Sequence, residues 1–100
     1  MYAKGTSAAA PRMVLYYRKN HRKSNRLGVT VSTKLGKAVV RNRIKRQIRE
    51  IFRLAQPEMK QGYDVILVAR GRAVGATYQD LADHFFRLCR RLDLLQENEA

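Results

Sequence analysis

The side chains best equipped for chemistry crowd into one run, Lys34-Leu35-Gly36-Lys37-Ala38-Val39-Val40-Arg41-Asn42-Arg43-Ile44-Lys45-Arg46-Gln47-Ile48-Arg49-Glu50-Ile51-Phe52-Arg53. Wound as a helix at 100° per residue, Val40, Ile44, Ile48, Ile51, Phe52 and Ala55 form an apolar stripe over about a third of the circle. Asn42, Arg43, Lys45, Arg46, Arg49 and Arg53 fan over most of the rest, interrupted only by Glu50. Arg41 falls at the edge, where its stem can lie on apolar surface while its head reaches out. Arg41, Lys45, Arg49 and Arg53 repeat every four residues, so like charges face each other at a cost of a few tenths of a kcal/mol per pair. A phosphate backbone removes that repulsion and releases its own counterions on binding. Arginine adds a fork matched to phosphate oxygens, and Asn42 beside the ladder can donate to a phosphate or read a base edge. The chemistry that fits this pattern is recognition of a polyanion.

No second constellation competes with it. Cys89 is the only cysteine, and with His21 and His84 it lacks any metal-ligand spacing. Asp80, Asp83 and Asp93 are not spaced to place a metal, and no Ser/His/Asp or paired-carboxylate arrangement is present, so no residue is assigned to catalysis or to metal binding. Cys89, within the last helix, reads as structural.

The 100 residues carry a formal net charge of +13, and it is unevenly held. Residues 1–53 contain 15 of the 21 basic residues and a single acidic one, a balance of +14; the remainder balances to −1. The cationic half has its own strand signals, so it is not a disordered basic tail. No apolar run approaches the roughly 18 residues of a membrane-spanning helix, and Met1 to Pro11 has no apolar core of a secretory signal. With one cysteine and no internal disulfide, a reducing, cytoplasmic setting is expected.

The elements that must position the basic run can be read around it. Residues 13–18 read as a strand with Val14 and Tyr16 on one face and Met13, Leu15 and Tyr17 on the other. Residues 20–25 read as a loop and 27–32 as a second strand, the loop being short enough for antiparallel pairing of the two. A helix is expected over about 37–55, ended by Pro57. Residues 63–69 are apolar almost throughout and read as a central strand. A glycine-containing loop follows, then Thr77 as N-cap of a helix over about 78–95, with Leu81, Phe85, Leu88, Leu92 and Leu95 on its buried face. The fold class is an α/β two-layer sandwich, a small mixed sheet with a basic helix and a C-terminal helix, in a single domain over 1–100.

The Arg41-Asn42-Arg43 triplet followed by Lys45, Arg46 and Arg49 resembles the signature of the protein subunit of bacterial ribonuclease P. The stretch Leu27 to Lys34 resembles that family's strand before its basic helix, and Val65 to Arg70 its later strand; the likeness covers nearly the whole chain in order. The resemblance implies a fold like a domain of a ribosomal protein, with the basic helix in a left-handed β-α-β crossover where general rules expect a right-handed one. It implies a holoenzyme that removes the 5′ leader of precursor tRNA, in which a large RNA subunit with bound Mg2+ performs hydrolysis and the protein helps hold the leader. No membrane and no small-molecule substrate are implied.

Carried over residue by residue, Lys34, Arg41, Asn42, Arg43, Lys45, Arg46 and Arg49 match the RNA-contacting positions. Tyr2, Val14 and Tyr16 match the cleft that receives the leader. Tyr16 suits that role on physical grounds too, because an aromatic on a sheet can stack an unpaired base; the alternative is a core aromatic. Family members usually begin with a helix that walls the cleft. Residues 1–10 read as a remnant of that helix and a loop; either the helix is absent or the start is placed downstream of the native one, and the second is the expectation. The competing function is a structured-RNA binder such as a ribosomal protein, which would leave tRNA processing unchanged; a protein-only nuclease is the third.

Overall fold

In the computed structural model, residues 6–96 are described. Strand β4 (Tyr63–Ala69) is central, as its apolar residues on both faces require. It pairs antiparallel with β2 (Met13–Lys19) on one side and parallel with β3 (Arg26–Thr30) on the other. β1 (Thr6–Ala9) adds antiparallel to β2, giving the order β1-β2-β4-β3. The period of two sends Met13, Leu15, Val65, Leu67 and Ala69 to one face, all buried.

Helix α1 (Ala38–Ala55) crosses between the parallel strands β3 and β4 and packs over β3; α2 (Tyr78–Arg91) packs over β2 and β1. Both helices cover that buried face. Ile44, Ile48, Ile51, Phe52 and Ala55 of α1 and Leu81, Phe85 and Leu88 of α2 close the core, with Phe52 and Phe85 edge to face at 6.4 Å. The layers, the central strand and the basic helix are as the sequence implies.

Three expectations are corrected. The strands read at 13–18 and 27–32 do not pair with each other, because β4 lies between them. The link over 20–25 crosses the entry to β4 instead of turning a hairpin: the Asn20 N–H donates to the Gly62 carbonyl at 2.9 Å, and Asn25 Nδ2 donates to the Lys60 carbonyl at 2.9 Å. Asn25 Oδ1 also accepts from the Tyr63 N–H at 2.8 Å. Secondly, the stretch read as helix remnant and loop contains β1, and Ala10 N–H to the Met13 carbonyl, 2.8 Å, closes its turn into β2. Serine and alanine carry little strand signal of their own; pairing with β2 imposes the conformation. Thirdly, α2 stops at Arg91, not Leu95. Asp93 adopts a left-handed φ of 60°, the Leu94 N–H reaches back to the Cys89 carbonyl and the Asp93 N–H to that of Arg90, which is the two-bond helix stop usually built on glycine. The turn drives Leu94 into the core and sets Leu95 opposite Met59.

Candidate nucleic-acid interface

Because five apolar residues of α1 are pinned in the core, the rotation of the helix is fixed and its cations have one direction to go. Asn42, Arg43, Arg46 and Arg49 are exposed; Arg41 and Lys45 are half-buried at the edges of the stripe. Asn42, Lys45, Arg46 and Arg49 line a shallow groove that Glu50 and Arg53 complete. Glu50 accepts both Arg53 Nη2 at 2.6 Å and Arg53 Nε at 3.2 Å, and this pairing lowers the glutamate pKa and raises that of the arginine. The four-step ladder is therefore neutralised at its C-terminal rung. Arg41 Nε donates to the Gly36 carbonyl at 3.1 Å. Arg43, Lys45, Arg46 and Arg49 make no ion pair with any described residue.

The start of α1 adds to this field. Its first turn contains no acidic residue, and the N-cap Lys37 makes no side-chain capping bond, so positive side chains sit at the positive end of the helix dipole. Lys34 is exposed in the preceding 3-10 turn, where its N–H donates to Ser32 Oγ at 3.1 Å.

Val14 and Tyr16 lie on the other face of the sheet, away from both helices, and both are half-buried. The register places them in rows across the four strands. Ser7, Tyr16, Ile66 and Gly28 form one row; Ala9, Val14, Val68 and Thr30 form the next. It is Tyr17, not Tyr16, that turns to the helix side, meeting Tyr63 edge to face at 5.4 Å. The sheet thus separates the two sets of candidate residues: the ladder and Lys34 belong to the helical layer, Val14 and Tyr16 to the open face. Tyr2 lies outside the described residues.

The sequence reading missed a third row on the open face, Arg18, Asp64 and Arg26. Asp64 accepts Arg26 Nε and Nη2, each at 2.8 Å, and Asn20 Nδ2 at 3.0 Å, with Arg18 Nη2 at 3.7 Å. The Arg26 and Asn20 hydrogen bonds hold its pKa well below the ordinary 3.8, and the two guanidinium charges add to that; partial burial opposes them. Tyr16, Gly28 and Ile66 share one concavity with Arg18, Arg26 and Asp64. The signal available in sequence was a lone carboxylate entering an apolar strand.

The remaining reactive groups do not converge. Cys89 is fully buried, and burial pushes its thiol pKa up to about 12. Burial lowers the pKa of His84, with Arg12 and Arg87 adding to the effect. His21 is exposed in the link over 20–25. Among the described residues no group of three or more His, Cys, Asp or Glu side chains can hold a metal ion, and no helix is long and apolar enough to cross a membrane.

Comparison with known proteins places this geometry. Residues 1–93 match the family model described as Ribonuclease P. The ribonuclease P protein component of Caldanaerobacter subterraneus is 41% identical over 99 residues, covering 99% of this chain and 85% of the relative. That of Natranaerobius thermophilus is 45% identical over 94 residues, covering 94% and 82%. The ribonuclease P protein of Staphylococcus aureus superposes with a TM-score of 0.85 at 34% identity, over 95% of this chain and 87% of that one. The Thermotoga maritima protein superposes with a TM-score of 0.82 at 30% identity, over 90% and 86%. With its two-layer fold, its cationic helix and these matches along its length, the chain belongs to the ribonuclease P protein family, the protein component of a ribonucleoprotein endoribonuclease.

Proposed function

We propose that the chain works with two faces for two RNAs: the α1 cations grip the catalytic RNA subunit, and the open sheet face receives the single-stranded 5′ leader of precursor tRNA. The observation that carries this reading is the set of four cations, Arg43, Lys45, Arg46 and Arg49, without a carboxylate partner among the described residues, on a helix whose rotation the core fixes. Lys34, Arg41 and Asn42 extend that surface toward the helix start. On the opposite face, Tyr16 offers a ring for a base and Val14 an apolar floor.

The chain's part in the reaction is electrostatic and positional. Its cations reduce repulsion between two polyanions, and its sheet holds the leader out of competing RNA structure. The reading leaves Mg2+ to the RNA subunit, as the family resemblance implies; bound there, it would supply an activated water and stabilise the leaving oxygen, and no residue of this chain is assigned to hold it. Assembly with RNA subunit and precursor tRNA would take place in the cytoplasm.

The test is cleavage of precursor tRNA by the cognate RNA subunit at low magnesium, with and without the protein. The protein is expected to raise the rate and to cleave nothing alone. No change in rate would refute the reading.

A further inference from the structure

We infer that the Arg18–Asp64–Arg26 row is a phosphate grip for the leader, and that Asp64 is a positioning residue that aims the two guanidiniums into the groove beside Tyr16. The inference rests on the proposal that the leader lies on the open sheet face, and it extends that face by one row.

Three observations support it. First, the row and the aromatic floor share a single concavity, so a ligand with a flat base and a phosphate can meet both. Tyr16, Ile66 and Gly28 are one step along the strands from Arg18, Asp64 and Arg26. Second, the charges are arranged for an anion. Asp64 occupies Arg26 through Nε and Nη2, which leaves Nη1 outside the pair. Arg18 is held more loosely, at 3.7 Å. Two guanidiniums against one carboxylate leave a net positive row, and both arginine side chains are about half exposed, at 52% and 53%. Third, the floor is kept hollow at Gly28. A Cβ there would sit 3.8 Å from Ile66 Cγ1, an ordinary contact, so a side chain at 28 would fill the concavity without clashing.

Asp64 makes the inference testable, because positioning and bulk charge require opposite results. If only net charge mattered, Asp64→Asn would remove a negative group from an RNA-facing groove and tighten binding. If Asp64 aims the arginines, Asp64→Asn loosens them and weakens binding.

The experiment measures affinity of the reconstituted holoenzyme for two precursor tRNAs, one with a short leader and one with a leader long enough to cover all three rows. Asp64→Asn is expected to lower the long-to-short affinity ratio about tenfold, the size of a lost charge-assisted hydrogen bond. The salt slope for the long leader should fall by about 0.7 per phosphate released. On a background in which both arginines are replaced, Arg18→Gln with Arg26→Gln, Asp64→Asn should lower the ratio no further. Gly28→Val, which leaves the ion pairs in place and suits a strand, should lower the same ratio and so carries the test if Asp64→Asn folds poorly. An unchanged or raised ratio in Asp64→Asn that is natively folded at the assay temperature, or in Gly28→Val, overturns the inference. Tyr16→Ala in the same assay separates the two claims. If Tyr16→Ala lowers the ratio and the row variants do not, the phosphate grip is wrong and the leader face stands. If none of them changes the ratio, the leader face is wrong as well.

Discussion

Asp64 joins three segments with one carboxylate, and its titration is a stability device. Its folded pKa lies well below the ordinary 3.8, chiefly through hydrogen bonds from Arg26 and Asn20. A carboxylate with a depressed folded pKa contributes stability that is fully present above its unfolded value and is lost as pH falls through the folded one. The difference in Tm between the parent chain and Asp64→Asn is therefore expected to shrink as pH is lowered below about 4, and thermal melts across that range check it. Thr77 contributes locally: its Oγ1 accepts from the Asp80 N–H at 3.0 Å while Asp80 returns a bond to the Thr77 N–H. Thr77→Ala should cost about 1 kcal/mol in chemical denaturation. The cap was legible from spacing alone because both partners sit within one turn. The Asp64 cluster was not, since Arg26 is 38 residues away and only strand register brings them together.

Helix α1 divides its labour between two faces, and substitutions should separate them. Ile48 is 1% exposed, and Ile48→Ala should destabilise the fold by about 2–5 kcal/mol through lost packing and the cavity left behind. Arg46→Ala, on the exposed face, should leave the melt unchanged, weaken binding to the RNA subunit, and lower the salt slope by about 0.7 to 1. A large drop in Tm for Arg46→Ala would show a structural role instead. Both faces were legible in sequence because helical periodicity is a local property. The two misjudged elements lack local signals. β1 is built of Thr6, Ser7, Ala8 and Ala9, whose conformation comes from β2, and α2 ends at Arg91 through a left-handed turn at Asp93, where a glycine would have announced the stop.

Across the whole molecule, charge and topology place the two candidate surfaces on opposite sides of one sheet. Of the 15 basic residues in 1–53, 11 lie in β2, β3, the link between them and α1. The near-neutral second half supplies the central strand and the second covering helix. Strand order was the least legible feature, because the insertion of β4 between β2 and β3 depends on contacts far apart in sequence. The two-surface arrangement follows from that order: with β2 and β4 adjacent, Tyr16 meets Ile66 on the open face while Leu15 meets Leu67 beneath the helices.

The claim that the two faces serve two RNAs is tested most directly by site-specific crosslinking in the assembled complex of protein, RNA subunit and precursor tRNA. Cys89 is buried with a pKa of about 12, so the parent chain should stay silent to thiol-directed photocrosslinkers under native conditions. Single cysteines introduced by Arg46→Cys and Tyr16→Cys then report one face each. The expected result is that position 46 crosslinks to the RNA subunit and position 16 to the tRNA leader. Leader crosslinks from position 46, or RNA-subunit crosslinks alone from position 16, would contradict it.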